Sequence, residues 1–276
     1  YFHDNDPYQH HIVIHTYPGS DDTIYTPLLG SSSKLTGPSL QLSNDSFSDV
    51  HGRVLEWVGK SADAGKPWAV AVDEPGGASH ALRPDYDAGN SHEDGRKNGL
   101  WGTFLAGGWG NEWYFGYSHD HSDLTCEDFR SRDNWWDYCR YALAFFQKAD
   151  VPYWEMTNDN AKSSASSDYC FYKEGVAYIV YLKNGGSTNL DLSGVSGSFE
   201  VKWYDPRNGG TLQNGSVTQV NGGAGQANDV LFTSAAAITA TAAAHEITGD
   251  GVRLQAVTGI GSPAARVDLS ATTVAA

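Results

Sequence analysis

Residues 67–77, PWAVAVDEPGG, bring two adjacent carboxylates to the end of an apolar run. The five apolar or small residues from Trp68 to Val72 lead directly into Asp73 and Glu74, and a proline and two glycines follow. This pattern predicts a buried strand that ends in a loop. Because an isolated buried carboxylate costs several kcal/mol unless it is compensated, we expect the fold to use it.

A carboxylate at the end of such a strand suits the cleavage of glycosides. In retaining glycosidases two Asp or Glu residues flank the scissile bond about 5–5.5 Å apart, one as nucleophile and one as acid/base. Side chains alternate along a strand, so we expect Asp73 and Glu74 to lie on opposite faces. A structural alternative stays open, in which Glu74 forms an ion pair with an arginine of a neighbouring loop, Arg83 or Arg96.

The elements that must position these residues alternate along the first 150 residues. Val50, Val54, Trp57 and Val58 recur with the i, i+4, i+7, i+8 spacing of an amphipathic helix. Alternating strands and helices imply parallel strands with covering helices. The predicted strands are 11–19, 37–43, 67–77 and 107–117, and the predicted helices are 46–64, 91–105 and 131–149.

Four strands in about 150 residues correspond to roughly half of a (β/α)8 barrel. An open half would leave unpaired strand edges, so we predict the second half of a TIM barrel and expect the sequence to begin in the middle of it. Active sites of such barrels lie at the carboxyl ends of the strands. The strand ends that carry polar groups here are His15 with Tyr17, Asp73 with Glu74, and Asn111 with Glu112 and Tyr114.

From Tyr169 onward the apolar pattern changes to a period of two, with short segments separated by glycine-containing turns. Turns spaced about 8–12 residues apart predict a small antiparallel β-sandwich. The predicted fold class is therefore α/β plus all-β, a half barrel followed by a sandwich. The predicted domains are 1–150 and 151–232, and the Ala/Thr/Gly-rich tail at 233–276 is a linker, a last strand or the start of a further module.

The composition restricts the partners. The net charge of −15, from 33 acidic and 18 basic residues, argues against nucleic acid and anionic membranes and favours a neutral or cationic partner. No apolar run approaches the about 18 residues of a membrane span. Nine Trp and fifteen Tyr are typical of sugar-binding proteins, although an aromatic-rich core explains them equally well. Three cysteines without a CxxC pair do not indicate zinc, and one disulfide, most simply Cys126–Cys139, stays open.

Five segments carry a resemblance to a known family. They are HTYPG, VDEPGG, GNEWYFGY, DLTCEDFRSRDNWWD and the run YCFYKEGVAYIVYLKNGGSTNLDLSG with VKWYDPRNGG. Together they resemble the second half of an apiosidase-like glycoside hydrolase, over roughly residues 1–232. In that family a (β/α)8 barrel precedes a small β-sandwich that carries a collagen-binding label, and the sandwich motif is the more specific part of the match.

The resemblance implies that Glu74, at the end of barrel strand seven, is the catalytic nucleophile. Its acid/base partner would end strand four and is expected upstream of Tyr1. The residues implied to line the sugar site, each of which can instead be structural, are His15, Tyr17, Trp109, Glu112, Tyr114, His119 and Asp123. The segment HDHSD (119–123) can also be read as a metal site, but acidic loops with His are common in so acidic a chain, and we predict no metal and no cofactor.

Our first functional hypothesis is a secreted or periplasmic glycoside hydrolase, retaining, that acts on a polysaccharide or oligosaccharide. The alternative is a non-catalytic carbohydrate-binding, adhesion or assembly protein that self-associates or pairs with the missing half of the barrel. Peptidase activity has no support, because His92-Glu93 and His245-Glu246 lack the second His of HExxH. The hydrolase elbow, phosphate-loop and dinucleotide motifs are also absent from the sequence.

Overall fold

A three-stranded parallel sheet organises the first of the two units into which the chain divides, Tyr1–Cys139. The computed structural model describes residues 1–125, 127–193, 195–220, 229–234, 239–240, 247–248 and 252–256. The strands are β1 (Ser39–Leu42), β2 (Ala71–Pro75) and β3 (Gly110–Asn111), in the order β1-β2-β3. A single parallel bridge between His15 and Ser39 extends the pairing beyond β1.

Short helices accompany these strands, and the two longest, Val50–Asp63 and Asp133–Ala149, begin four and two residues after the predicted starts at 46 and 131. In chain order they are α1 (Phe2–Asn5), α2 (Asp21–Tyr25), a 3₁₀ helix (Thr26–Leu28), α3 (Val50–Asp63), α4 (His92–Asp94), a π-helical segment (Gly95–Leu100), α5 (Trp101–Leu105), a 3₁₀ helix (Phe129–Arg132) and α6 (Asp133–Ala149). The predicted helix at 91–105 is therefore continuous but changes its pitch in the middle.

The core of this unit lies between α3 and the sheet. Trp57 of α3 is fully buried, and its ring centroid lies 5.3 Å from that of Tyr25 and 6.1 Å from that of Trp68. Val50 and Val54, on the same face of α3, are also fully buried. Burying an apolar side chain of this size contributes about 1.5–3 kcal/mol, so this cluster fixes α3 against β2.

The predicted half barrel is wrong. Among the described residues of this unit, the strands form one short open sheet and do not close into a barrel. The expected first strand at 11–19 contributes only the bridge at His15. The N–H of Ile12 instead donates to the hydroxyl of Thr36, and the carbonyl of Ile12 accepts from the N–H and the hydroxyl of Thr36. Val13 and Ile14 are 38% and 43% exposed, so this apolar run is not a buried strand. The expected strand at 107–117 is reduced to the two residues of β3.

In the described part of the second unit, Arg140–Ala276, antiparallel strands form four small sheets. The strands are β4 (Thr157–Asn158), β5 (Tyr169–Lys173), β6 (Ala177–Tyr181), β7 (Gly186–Asp191), β8 (Gly197–Asp205), β9 (Gly209–Val220), β10 (Asp229–Ser234), β11 (Thr239–Ala240), β12 (Ile247–Thr248) and β13 (Val252–Ala256). Two 3₁₀ helices, Tyr153–Glu155 and Asn160–Lys162, precede β5. The sheet orders are β4-β5-β6, β13-β10-β7, β8-β9 and β11-β12.

This arrangement corrects the fold class predicted for the second part, a single small sandwich. The long hairpin of β8 and β9 has two register shifts, between Glu200 and Lys202 and between Trp203 and Asp205. Such irregularities bend a strand and interrupt its pairing, which helps to split the strands into small sheets. The core includes Cys170, Leu190 and Trp203, each at most 2% exposed.

Two expectations fall largely outside the described residues. Most of the tail from residue 235 onward lies outside them, apart from the short strands β11, β12 and β13. Cys126 also lies outside them, while Cys139 and Cys170 are free thiols. Cys170 is buried and Cys139 is half-buried, and burial raises the pKa of each thiol to about 12.

Candidate functional site

The candidate site centres on a hydrogen bond between His15 and Glu74. His15 Nε2 lies 3.1 Å from Glu74 Oε2, and His15 Nδ1 lies 3.0 Å from the Oγ of Ser39. The side chains of His15 and Glu74 are 48% and 27% exposed, so a ligand in solvent can reach both. A carboxylate that is held in place and remains accessible can act as a nucleophile, as a base or as an acceptor for sugar hydroxyls.

Parallel strand direction brings these groups to one edge of the sheet. His15 lies beside β1, Glu74 is near the end of β2, and Glu112 follows β3. The backbone N–H of Glu112 donates to Val72 O at 2.9 Å, so Glu112 and Glu74 leave neighbouring strands at nearly the same level. In open α/β sheets, ligands bind outside the carboxyl ends of the strands, which is where Glu74 and Glu112 lie. His15 is opposite Ser39, at the start of β1, and reaches Glu74 through its side chain.

A register shift in β2 changes the direction of the two adjacent carboxylates. Leu40 is opposite Val72, but the next residue of β1, Gln41, is opposite Glu74, so Asp73 is the extra residue of a β-bulge. A bulge interrupts the alternation of side chains and redirects them, and bulges are frequent beside active sites. The regular alternation on which the expectation for Asp73 and Glu74 rests is therefore interrupted at this point.

Trp109 lies at the other end of the sheet. Its N–H donates to Val70 O at 2.7 Å, and Val70 precedes Glu74 by four residues, roughly 13 Å along a strand. The Trp109 ring is 65% exposed and lies 5.1 Å from the ring of His11. Burial lowers the pKa of His11, and the charge of Asp73 opposes this shift. Because of this position, the structure does not bring Trp109 to Glu74.

Tyr114 lies within electrostatic range of Glu74. Burial raises the pKa of Tyr114, and the charges of Asp123 and Glu74 raise it further. Its hydroxyl donates to Ala78 O at 3.0 Å, so the Tyr114 ring also supports the loop that follows β2. Tyr17, two residues after His15, is 80% exposed and presents a free ring surface to solvent.

Asp123 has a structural position. Its Oδ2 accepts hydrogen bonds from the backbone N–H groups of Phe115 at 2.7 Å and Gly116 at 3.0 Å, which closes the loop after β3. Gly116 has φ +79°, and a Cβ at this position would lie 2.7 Å from Ser79 O. The loops that follow β2 and β3 therefore pack directly on one another, and the Asp123 carboxylate closes the second of these loops.

His119 belongs to a separate cluster on these loops. Its Nε2 lies 3.0 Å from the Nδ1 of His80, and its Nδ1 lies 3.4 Å from Asp87. The pKa of His119 is lowered, first by burial and then by the charge of Arg83. Within the described ranges, no group of three or more His, Cys, Asp or Glu is placed to hold a metal ion.

The arginines considered as structural partners of Glu74 form other ion pairs. Arg83 lies 3.6 Å from Asp87, and Arg96 lies 2.6 Å from Glu93. The ion-pair partner that the structure gives to Glu74 is His15.

Two supporting residues were not predicted from the sequence. Ser39 contacts His15, and the only sequence signal was a polar residue at the start of an apolar strand. Arg132 is fully buried and donates to Leu82 O and Asp120 O at 2.9 Å and to His121 O at 3.1 Å. Arg132 therefore joins both loops above the sheet, a role that its sequence position does not indicate.

A family model described as "Putative collagen-binding domain of a collagenase" matches residues 151–229 of the 276. This similarity concerns the second unit and does not include the residues around Glu74. No curated protein matches the chain. No helix in the described part of the chain is long and apolar enough to cross a membrane.

Proposed function

We propose that this chain takes part in glycan cleavage outside the cell, with Glu74 as the nucleophile of a retaining glycoside hydrolase. The observation that carries the proposal is the accessible Glu74 carboxylate, held by His15 at the carboxyl edge of parallel strands. Glu112 and Tyr114, from the neighbouring strand and its loop, supply further polar groups near this edge. The resemblance of residues 1–232 to apiosidase-like hydrolases adds support.

The proposed chemistry uses two displacements. Glu74 attacks the anomeric carbon, the glycosidic bond breaks, and a covalent glycosyl–enzyme ester forms, while an acid protonates the leaving oxygen. Water, deprotonated by the same group, then cleaves the ester and restores the carboxylate. The hydrogen bond from His15 to Oε2 keeps the carboxylate in one orientation. The proposal assigns only the nucleophile, since no contact identifies the acid/base residue.

The test uses substrates that need no general acid. Dinitrophenyl glycosides carry leaving groups that depart without protonation, and 2-deoxy-2-fluoro analogues trap the glycosyl–enzyme. We expect wild-type protein to be labelled at Glu74 by one member of such a sugar panel, with the site identified by peptide mass spectrometry. Glu74→Gln should abolish both labelling and turnover. The matched control is Glu174→Gln, which changes an exposed carboxylate of the second unit and should leave both unchanged.

Labelling of another carboxylate, or wild-type turnover in Glu74→Gln, would refute the assignment of the nucleophile. A panel in which no sugar labels Glu74 but several glycans bind would favour the non-catalytic alternative.

A second candidate function rests on the family match. The description of residues 151–229 favours binding to an extracellular protein or carbohydrate by the second unit. Trp154 offers a contact surface there, because its side chain is 83% exposed while the neighbouring Tyr153 packs against Phe146 and Phe171. A rigid, exposed indole suits both sugar rings and the prolines of collagen.

Binding to immobilised fibrillar collagen and to insoluble polysaccharides tests this second function. We expect Trp154→Ala to weaken retention on one of these supports at least several-fold, while Val176→Ala, at another exposed apolar position of this unit, has no effect. Equal retention of both variants on every support would remove Trp154 from the contact surface.

A further inference from the structure

A buried serine contacts the side of His15 that faces away from Glu74. Ser39 Oγ lies 3.0 Å from His15 Nδ1, and Glu74 Oε2 lies 3.1 Å from His15 Nε2. The imidazole thus connects a neutral hydroxyl to a carboxylate through its two nitrogens. The three residues come from three different segments of the chain, the stretch beside β1, β1 itself and β2.

Ser39 is held rigidly in β1. It is 3% exposed, and its N–H donates to the hydroxyl of Tyr25 at 3.2 Å, while that hydroxyl lies 2.8 Å from Ser39 O. Tyr25 is itself fully buried against Trp57 and Trp68. The position of the Ser39 hydroxyl is therefore fixed by the core rather than by the site.

The hydrogen-bonding capacities of the three groups allow one consistent arrangement. An ionised carboxylate only accepts, so the proton between His15 and Glu74 must be on Nε2. A neutral imidazole then has an unprotonated Nδ1, which needs a donor. Among the described residues the hydroxyl of Ser39 bonds only to this Nδ1, and a buried hydroxyl that did not donate would leave its proton unsatisfied. Ser39 therefore donates to Nδ1.

We propose that Ser39 is a positioning residue that fixes His15 as the Nε2–H tautomer. In this state His15 donates to Oε2 of Glu74, and Oε1 is the oxygen that is available for reaction. The tautomer assignment stands on geometry alone, whereas the role of Oε1 rests on the proposed function. Ser39 is not itself a nucleophile, since it is 97% removed from solvent and its proton is directed to His15.

The tautomer is measured by NMR on protein labelled with ¹⁵N-histidine. His15 is assigned from the signals lost in His15→Gln. We expect the wild-type spectrum at neutral pH to show a protonated Nε2 and an unprotonated Nδ1. Glu74 favours the same tautomer only while His15 bonds to it, and Ser39→Ala removes the contact that holds the ring in that position. Ser39→Ala should therefore convert His15 to a mixture of tautomers, and Ser39→Thr, which retains the hydroxyl, should restore the wild-type pattern. Ser43→Ala, an exposed serine one residue beyond β1, is the control and should change nothing.

Activity on a dinitrophenyl glycoside is the second measurement. Loss of one hydrogen bond of ordinary strength predicts that Ser39→Ala lowers kcat roughly 2- to 12-fold, with KM nearly unchanged. Tryptophan fluorescence shows whether each variant is folded. If Ser39→Thr misfolds, the comparison of the His15 tautomer in wild type and Ser39→Ala decides the test.

An Nδ1–H tautomer, an imidazolium at neutral pH, or an unchanged His15 in Ser39→Ala would overturn the proposal. The two proposals can be refuted separately. Turnover retained in Glu74→Gln, with His15 in the expected tautomer, would refute only the glycosidase function.

Discussion

Replacing Arg132 by Met should lower the free energy of unfolding of the first unit more than any surface substitution of similar size. Arg132 is fully buried and makes three hydrogen bonds to the carbonyls of Leu82, Asp120 and His121, in the loops that follow β2 and β3. It also lies over the ring of Phe115, with Cζ 4.5 Å from the centroid. A methionine can fill much of the volume but leaves the carbonyls without these donors.

The magnitude follows from these contacts. A hydrogen bond to a charged group contributes about 1.5–3 kcal/mol, and the contributions of neighbouring bonds are not additive. We therefore expect Arg132→Met to lower the free energy of unfolding of this unit by about 3–5 kcal/mol. With a slope of about 2 kcal/mol per M in urea, the midpoint should fall by roughly 1.5–2.5 M. The midpoint of Arg132→Lys, which retains the charge but has fewer donors, should lie between those of wild type and Arg132→Met.

Tryptophan fluorescence in urea is a suitable assay, because all tryptophans except Trp154 and Trp203 belong to the first unit. Arg130→Met provides the matched control. Arg130 is 71% exposed and pairs with Asp128, so its loss should leave the midpoint unchanged. Equal midpoints for Arg132→Met and Arg130→Met would show that Arg132 does not hold these loops, and the reasoning from buried donors would be wrong.

Two further predictions concern pH and thiol chemistry. Burial is the main cause that lowers the pKa values of His92 and His119 in the folded protein. The unfolded chain therefore binds more protons than the folded chain below about pH 6.5, and the free energy of unfolding should fall as the pH falls through this range. Urea midpoints at pH 7.5, 6.5 and 5.5 measure this, and a midpoint that rose towards pH 5.5 would contradict it. Cys170 is fully buried and its pKa is raised to about 12, so at pH 8 it should react with a disulfide reagent only after unfolding, and rapid loss of this thiol in the native protein would count against the described core.

Local periodicity predicted the helices well. The apolar spacing of Val50, Val54 and Trp57 predicted 46–64, and α3 spans Val50–Asp63 with these residues buried. The predicted helix at 131–149 corresponds to α6 with a 3₁₀ turn before it. Periodicity succeeds here because a helix that buries one face satisfies its own backbone and needs only one apolar surface to pack against.

The barrel could not be predicted in this way, because closure depends on non-local pairing. The run His11–Ile14 has the composition of a buried strand, but its backbone bonds to Thr36 and its side chains are partly exposed. Short apolar runs do not distinguish a paired strand from an extended segment of this kind. Half a barrel was inferred from four predicted strands in about 150 residues. Because this run is not a paired strand, that number of strands is not reached.

The residues of the site were predicted unevenly for the same reason. Strand ends identified His15 and Glu74, which are 59 residues apart and form a hydrogen bond. Trp109 also neighbours a strand, but at its beginning, so it lies away from Glu74. The bulge at Asp73 and the contact of Ser39 with His15 depend on register and on packing across the sheet, and neither leaves a periodic signal in the sequence.

Asp73 has no partner in β1, so the position of the Glu74 carboxylate depends on the number of residues in this segment as well as on their chemical nature. Inserting one amino acid between Val72 and Glu74 would move Glu74 from its present partner Gln41, change the register of β2 and separate Glu74 from His15, although every side chain of the site would still be encoded. Insertions and deletions between Val72 and Pro75 should thus be far more damaging than conservative exchanges at Val72 or Asp73. Among descendants of this gene, the spacing of the segment would then be as informative about a working centre as the presence of Glu74 itself.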